Sequence, residues 1–161
     1  MRGGALPPAL LFAAFGFALS FAPRRWFAPC LIILLIVSIG VGRVRIGANW
    51  QDPIFLGCWV SVIAAAACVH WPGGVGPRLA VVLAINTGIW GGAVIAVAGG
   101  SLDFVKSLPC ALVCLPGGWL VATRRQIVIK VLSSWLIAVA LLASTLQITT
   151  PTPGYVPDHM D

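Results

Sequence analysis

LPCALVCLPGGWLVATRRQIVIKVLSSWLIAVALLASTLQI, residues 108–148, is the stretch on which the reading of the fold turns. It holds an apolar segment interrupted by Pro116-Gly117-Gly118, then the cations Arg124, Arg125 and Lys130, then a long unbroken apolar segment. If the interrupted segment crosses a bilayer, the last three cations lie on one side. If it folds back at Pro116-Gly117-Gly118, they lie on the other. The stretch also carries a closely spaced cysteine pair, Cys110 and Cys114.

Outward from this stretch the chain keeps the same character. Its 161 residues are 60% hydrophobic and 9% charged, whereas a soluble domain is about 25% charged. Mean hydropathy is +1.02, and the sequence has no glutamate. The charges are clustered, leaving uncharged runs at 3–23, 26–42, 53–77, 79–102, 107–123 and 131–157. A helix crossing the hydrocarbon core needs about 20 mostly apolar residues, and each run is long enough. Strands of a membrane barrel would instead be about 10 residues long and alternate in polarity. Backbone polar groups in lipid must satisfy one another, which makes these runs helices.

The chain is therefore read as an all-α integral membrane protein, a bundle of six transmembrane helices. One polytopic membrane domain occupies 1–148, with spans near 5–22, 26–42, 53–71, 79–99, 107–123 and 131–148. Residues 149–161, TTPTPGYVPDHMD, form an extended, Pro-rich, non-cytoplasmic tail. The alternative is five helices plus a re-entrant segment at 107–123. Six spans place Arg2, Arg43, Arg45 and Lys106 opposite Arg24, Arg25, Arg78, Arg124, Arg125 and Lys130. The re-entrant arrangement moves the last three of these across. Cytoplasmic loops carry the excess of Lys and Arg, and either arrangement leaves the tail on the less basic side. The expected location is the plasma membrane, as the inner membrane of a bacterial cell.

The net charge of +6 fits cations that flank spans and meet anionic headgroups. No basic run exceeds the doublets Arg24-Arg25 and Arg124-Arg125, so nucleic acid is not an expected partner. The expected partners are the lipid bilayer and other membrane proteins or a second copy of the chain. In the first span, Pro7 and Pro8 fall in the first turn, where missing N–H groups cost least. A cleavable signal peptide is the competing reading there, and Pro23 directly after a cut at Ala22 argues for an uncleaved anchor. Ala64–Ala67 in the third span offers a smooth face for a neighbouring helix.

Few residues suggest chemistry. Asn86 lies in the middle of the fourth span, where an amide holds helices together or contacts a substrate. Gly88 and Gly92 follow at GxxxG spacing, which lets helix backbones approach closely. Pro116, Gly117 and Gly118 mark a hinge or re-entrant turn. Cys110 and Cys114, at i and i+4, share a face of an unbroken helix, where two thiolates suit a soft ion or disulfide exchange. A structural zinc site takes four ligands, so no metal site and no cofactor are expected. His70 and Lys130 sit at span ends, as solvated or snorkelling groups.

No GxSxG, HExxH, P-loop or dinucleotide fingerprint is present, and an enzymatic role is not expected. The sequence reading favours an accessory or assembly subunit of a larger cell-envelope complex. A small channel or permease built on the broken helix is the second reading. A thiol-redox or soft-metal protein using Cys110 and Cys114 is the third.

Overall fold

The computed structural model describes residues 6–44, 46–47, 50–98 and 105–149. Every regular element among them is helical. Helix α1 is Leu6–Leu19, and a 3-10 turn at Arg24–Trp26 leads into α2, Phe27–Gly42. Helices α3, Gln51–Cys68, and α4, Pro77–Ala98, follow. The fifth segment is α-helical at 105–107, 3-10 at Leu108–Val113, and becomes α5 at Cys114–Ala122. Helix α6 is Ile127–Thr149.

The ends of these helices follow from local chemistry. Proline has no N–H to lose in a first turn, and it occupies that turn in α1, α3 and α4 as Pro7, Pro53 and Pro77. Asp52 lies in the first turn of α3, where a carboxylate meets the positive end of the helix dipole. Gly74 supplies a φ of 70° in the turn before α4, a conformation without steric cost only for glycine.

Side-chain contacts fix the relative directions. Gly57 of α3 faces the ring of Trp90, and Ser61 faces Asn86, so α3 and α4 are antiparallel. Gly88 of α4 faces Leu34 and Val37, and Gly92 faces Ser38 and Val41, so α2 and α4 are parallel. Gly16 of α1 lies on the backbone at 110–114, and Ser20 lies on Gly117, so α1 and the fifth segment are parallel. Consecutive segments thus alternate in direction. One end of the bundle gathers the turns at 20–26, 69–78 and 123–126; the other gathers the remaining segment ends.

Helix α1 is the centre. It packs against α3, α4, α6 and the fifth segment, while α2 lies outermost on α4. Leu11, Phe12, Ala14, Phe15 and Ala18 are all 0% exposed and share one broad face of the helix, while Ala9, Leu10, Ala13 and Phe17 on the other face are half-buried and Leu6 is exposed. The signal-peptide alternative for this segment would therefore remove the middle of the core.

Two expectations change. Among the described residues, five helices are long and apolar enough to cross a membrane: Arg24–Gly42, Gln51–Cys68, Pro77–Val97, Val105–Ala122 and Ile127–Thr149. The first segment, expected near 5–22, has 14 helical residues among those described, or about 21 Å at 1.5 Å per residue. It stops at Leu19 because Ser20 and Phe21 form a turn, with the Ser20 hydroxyl donating to the Gly16 carbonyl at 2.8 Å.

The second change is in the fifth segment, expected to break or reverse at Pro116-Gly117-Gly118. Those residues are α-helical, and the departure from α geometry lies upstream at Leu108–Val113. Pro116 falls in the first turn of α5, where it is tolerated. Six residues rising about 2 Å each, with the remaining twelve at about 1.5 Å, carry the 18-residue segment about 30 Å. That equals the thickness of a hydrocarbon core. The tail at 150–161 and the cations Arg2 and Arg45 lie outside the described residues.

Candidate functional site

The glycines of α4 are spacer positions toward two neighbours, α1 and α2. A Cβ on Gly92 would stand 2.6 Å from the Ser38 carbonyl, and one on Gly88 would stand 2.8 Å from the Val37 Cβ. Both distances are below van der Waals contact, so α2 rests directly on the α4 backbone there. Gly91 receives the ring of Phe12 from α1, which a Cβ there would meet at 2.7 Å. The GxxxG pair faces another helix of its own chain.

Asn86 is half-buried at the α3–α4 boundary, and Ser61 donates to its Oδ1 at 3.5 Å. A bond that long is weak. Three other polar side chains were not singled out from the sequence. Ser38, Thr87 and Ser133 are buried, and their hydroxyls have no hydrogen-bond partner. Small polar residues are ambiguous in an apolar run, and only the packing shows which of them face inward.

The fifth segment meets α1 through its backbone. A Cβ on Gly16 would lie 3.0 Å from the Ala111 carbonyl and 3.3 Å from the Cys114 nitrogen. Gly117 lies against Ser20 and Gly118 against the Phe27 ring. These glycines admit side chains of α1 and α2, which explains their presence in a helix without a bend.

The 3-10 stretch also alters the cysteine pair. At three residues per turn, positions i and i+4 diverge by about 120°, against about 40° on an α-helix. Cys114 is buried and Cys110 half-buried, and both are free. Cys30, Cys58 and Cys68 are free as well. Among the described residues no group of three or more His, Cys, Asp or Glu side chains is arranged to hold a metal ion. His70 is exposed, with Nε2 3.4 Å from the Ser134 hydroxyl, and that hydroxyl also donates to the Lys130 carbonyl at 3.0 Å.

Charge divides the bundle. Arg24, Arg25, Arg78, Arg124, Arg125 and Lys130 all belong to one end, which has no acidic residue among those described. Arg43, Asp52 and Lys106 belong to the other. At the basic end, Arg24, Phe27, Ala28, Leu31 and Leu115 line a cleft of about 440 Å³. The sequence gives no sign of this cleft, because it joins residues more than 80 positions apart.

No known protein family matches this chain, and no curated protein or solved structure does so either.

Proposed function

We propose that this chain is an accessory or assembly subunit of a larger membrane complex of the cell envelope, without catalysis of its own. In this reading it crosses the plasma membrane, as the inner membrane of a bacterial cell, six times. The basic end is cytoplasmic, and both termini and the Pro-rich tail lie on the opposite face.

The observation that carries the reading is the filling of the interior. The place where a permease would hold a polar path is occupied by α1, whose Leu11, Phe12, Phe15 and Leu19 are buried against its neighbours. The 3-10 stretch, the feature best suited to line a pore, has its backbone against Gly16. The outer faces, by contrast, carry Ile32, Ile36 and Ile39 on α2 and Val131, Trp135 and Leu142 on α6, all exposed. Those faces are available to lipid and to other membrane proteins. The glycines that bring helices closest are used inside the chain, so partners meet large side chains.

The test is purification from native membranes in mild detergent, with identification of what co-migrates through two orthogonal steps. A partner in fixed stoichiometry is the expected result. A chain that purifies alone and supports solute or ion flux in proteoliposomes would replace this reading by a channel or permease. Copper bound in stoichiometric amount, or a mixed disulfide trapped at Cys110, would replace it by thiol chemistry.

A further inference from the structure

We propose that the cleft between α2 and the fifth segment is a binding site for an anionic glycerophospholipid, with the phosphate on Arg24 and one acyl chain below it. This rests on the reading that the basic end lies at the level of the lipid headgroups.

The cleft has a direction. Phe27 rests on Gly118, and toward the middle of the bundle α2 and the fifth segment part around Ala28, Leu31 and Leu115. Arg24 stands in the turn before α2, at the outer mouth. From Arg24 to Leu31 the helix rises about 10 Å. The lining thus changes over that distance from one exposed cation to apolar side chains alone. At about 440 Å³ the volume falls within the usual range for small-ligand sites, about 300–1,000 Å³.

That polarity gradient selects the occupant. A water-soluble anion would gain one cation and then face Phe27, Leu31 and Leu115 with no donor among them. An apolar ligand would leave Arg24 without a role. A zwitterionic lipid would bring its own cation to an end that already has six and, among the described residues, no carboxylate. A lipid of net negative charge satisfies both parts, since its headgroup meets the basic end and its chain replaces solvent along Leu31 and Leu115. Basic pockets between membrane helices bind anionic headgroups in this way.

The experiment is native mass spectrometry of the full chain in detergent loaded with phosphatidylglycerol or with phosphatidylcholine of the same acyl chains. Wild type should retain phosphatidylglycerol at collision energies that strip phosphatidylcholine. Arg24→Gln should reduce that preference about fivefold, the contribution of one cation near a membrane surface. Arg78→Gln, at the same end but outside the cleft, should leave it unchanged. Ala28→Trp should fill the cleft and weaken retention while every cation remains, which keeps the proposal testable if Arg24→Gln fails to fold. Equal retention of the two lipids, equal effects of Arg24→Gln and Arg78→Gln, or displacement of the lipid by millimolar inorganic phosphate would each overturn it. Alkaline extraction of native membranes is the separate check on membrane residence. A chain released by alkali refutes the membrane reading, whereas a chain retained without lipid preference refutes only the site.

Discussion

Helices α1 and α6 are both apolar along their length, yet they occupy opposite places in the bundle. Helix α1 has 14 residues, most of them buried, with Leu6 alone exposed and Ala9, Leu10, Ala13 and Phe17 half-buried. Helix α6 has 23 residues and shows Ile127, Val131, Trp135 and Leu142 at more than half exposure. Their compositions differ in the same sense. Helix α1 is built from Ala, Leu, Phe, Pro and Gly, with no β-branched residue, whereas α6 carries many Ile and Val. Hydropathy reports that a helix prefers lipid to water. Which apolar helix is enclosed by the others depends on side-chain shape. Alternating small residues with rings, as at Ala14, Phe15 and Gly16, allows several neighbours to approach closely.

The sharpest way to break this comparison is topological and all-or-none. If α1 crosses the membrane despite its length, reporters fused to the two ends of the chain fall on the same, non-cytoplasmic side. A cytoplasmic N-terminal reporter with a non-cytoplasmic C-terminal one would leave α1 buried without crossing. A cytoplasmic C-terminal reporter would contradict the proposed orientation altogether.

The next largest effect is energetic. Phe12→Ala removes a ring that is 0% exposed and seated on Gly91. It should cost about 3 kcal/mol or more of stability, read as a large fall in the thermal midpoint in detergent. Trp135→Ala, from a side chain 58% exposed on α6, should change stability by less than about 0.5 kcal/mol. Equal losses would show that α6 is as enclosed as α1.

A smaller contrast separates glycines. Gly92→Ala places a methyl against the Ser38 carbonyl, and the clash should exceed the gain in helix propensity, for a net loss of about 1–3 kcal/mol. Gly40→Ala, on the same helix pair but facing open space, should be neutral or gain up to about 1 kcal/mol. Asn86→Leu should cost less still, about 0.6 kcal/mol, because its contact with Ser61 is long. A fully stable Asn86→Leu protein that has lost its partner would mark the amide as part of an interface. The smallest effect belongs to Cys110→Ala, which should leave stability and complex formation unchanged, as expected for a half-buried free thiol.

The helices themselves were legible because uncharged runs of membrane length leave the backbone few alternatives. The GxxxG pair pointed to close approach, and the structure supplies α2 as the neighbour. In the fifth segment the structure departs from the sequence pattern. Pro116-Gly117-Gly118 resembles a turn by the propensities of chains in water, yet here Gly117 and Gly118 make room for Ser20 and Phe27. The true irregularity, Leu108–Val113, has no sequence signature apart from Pro109, because it arises where the backbone settles on Gly16. The cysteine geometry was hidden for the same reason, since the angle between Cys110 and Cys114 depends on the helix type between them. The cleft at Arg24 is formed by chain segments far apart in sequence and becomes visible only when they meet.

The charge division has a consequence for the energised cell. Six cations at one end make the molecule sensitive to membrane voltage. Carrying one elementary charge across the field costs about 2.3 kcal/mol for every 100 mV. If the basic end lies on the electrically negative face, as proposed, the potential would hold the molecule in that orientation, and inversion would require moving those cations against it. In the proposed orientation, insertion would be tied to energisation, and collapse of the potential during synthesis would remove that bias while leaving every helix as apolar as before.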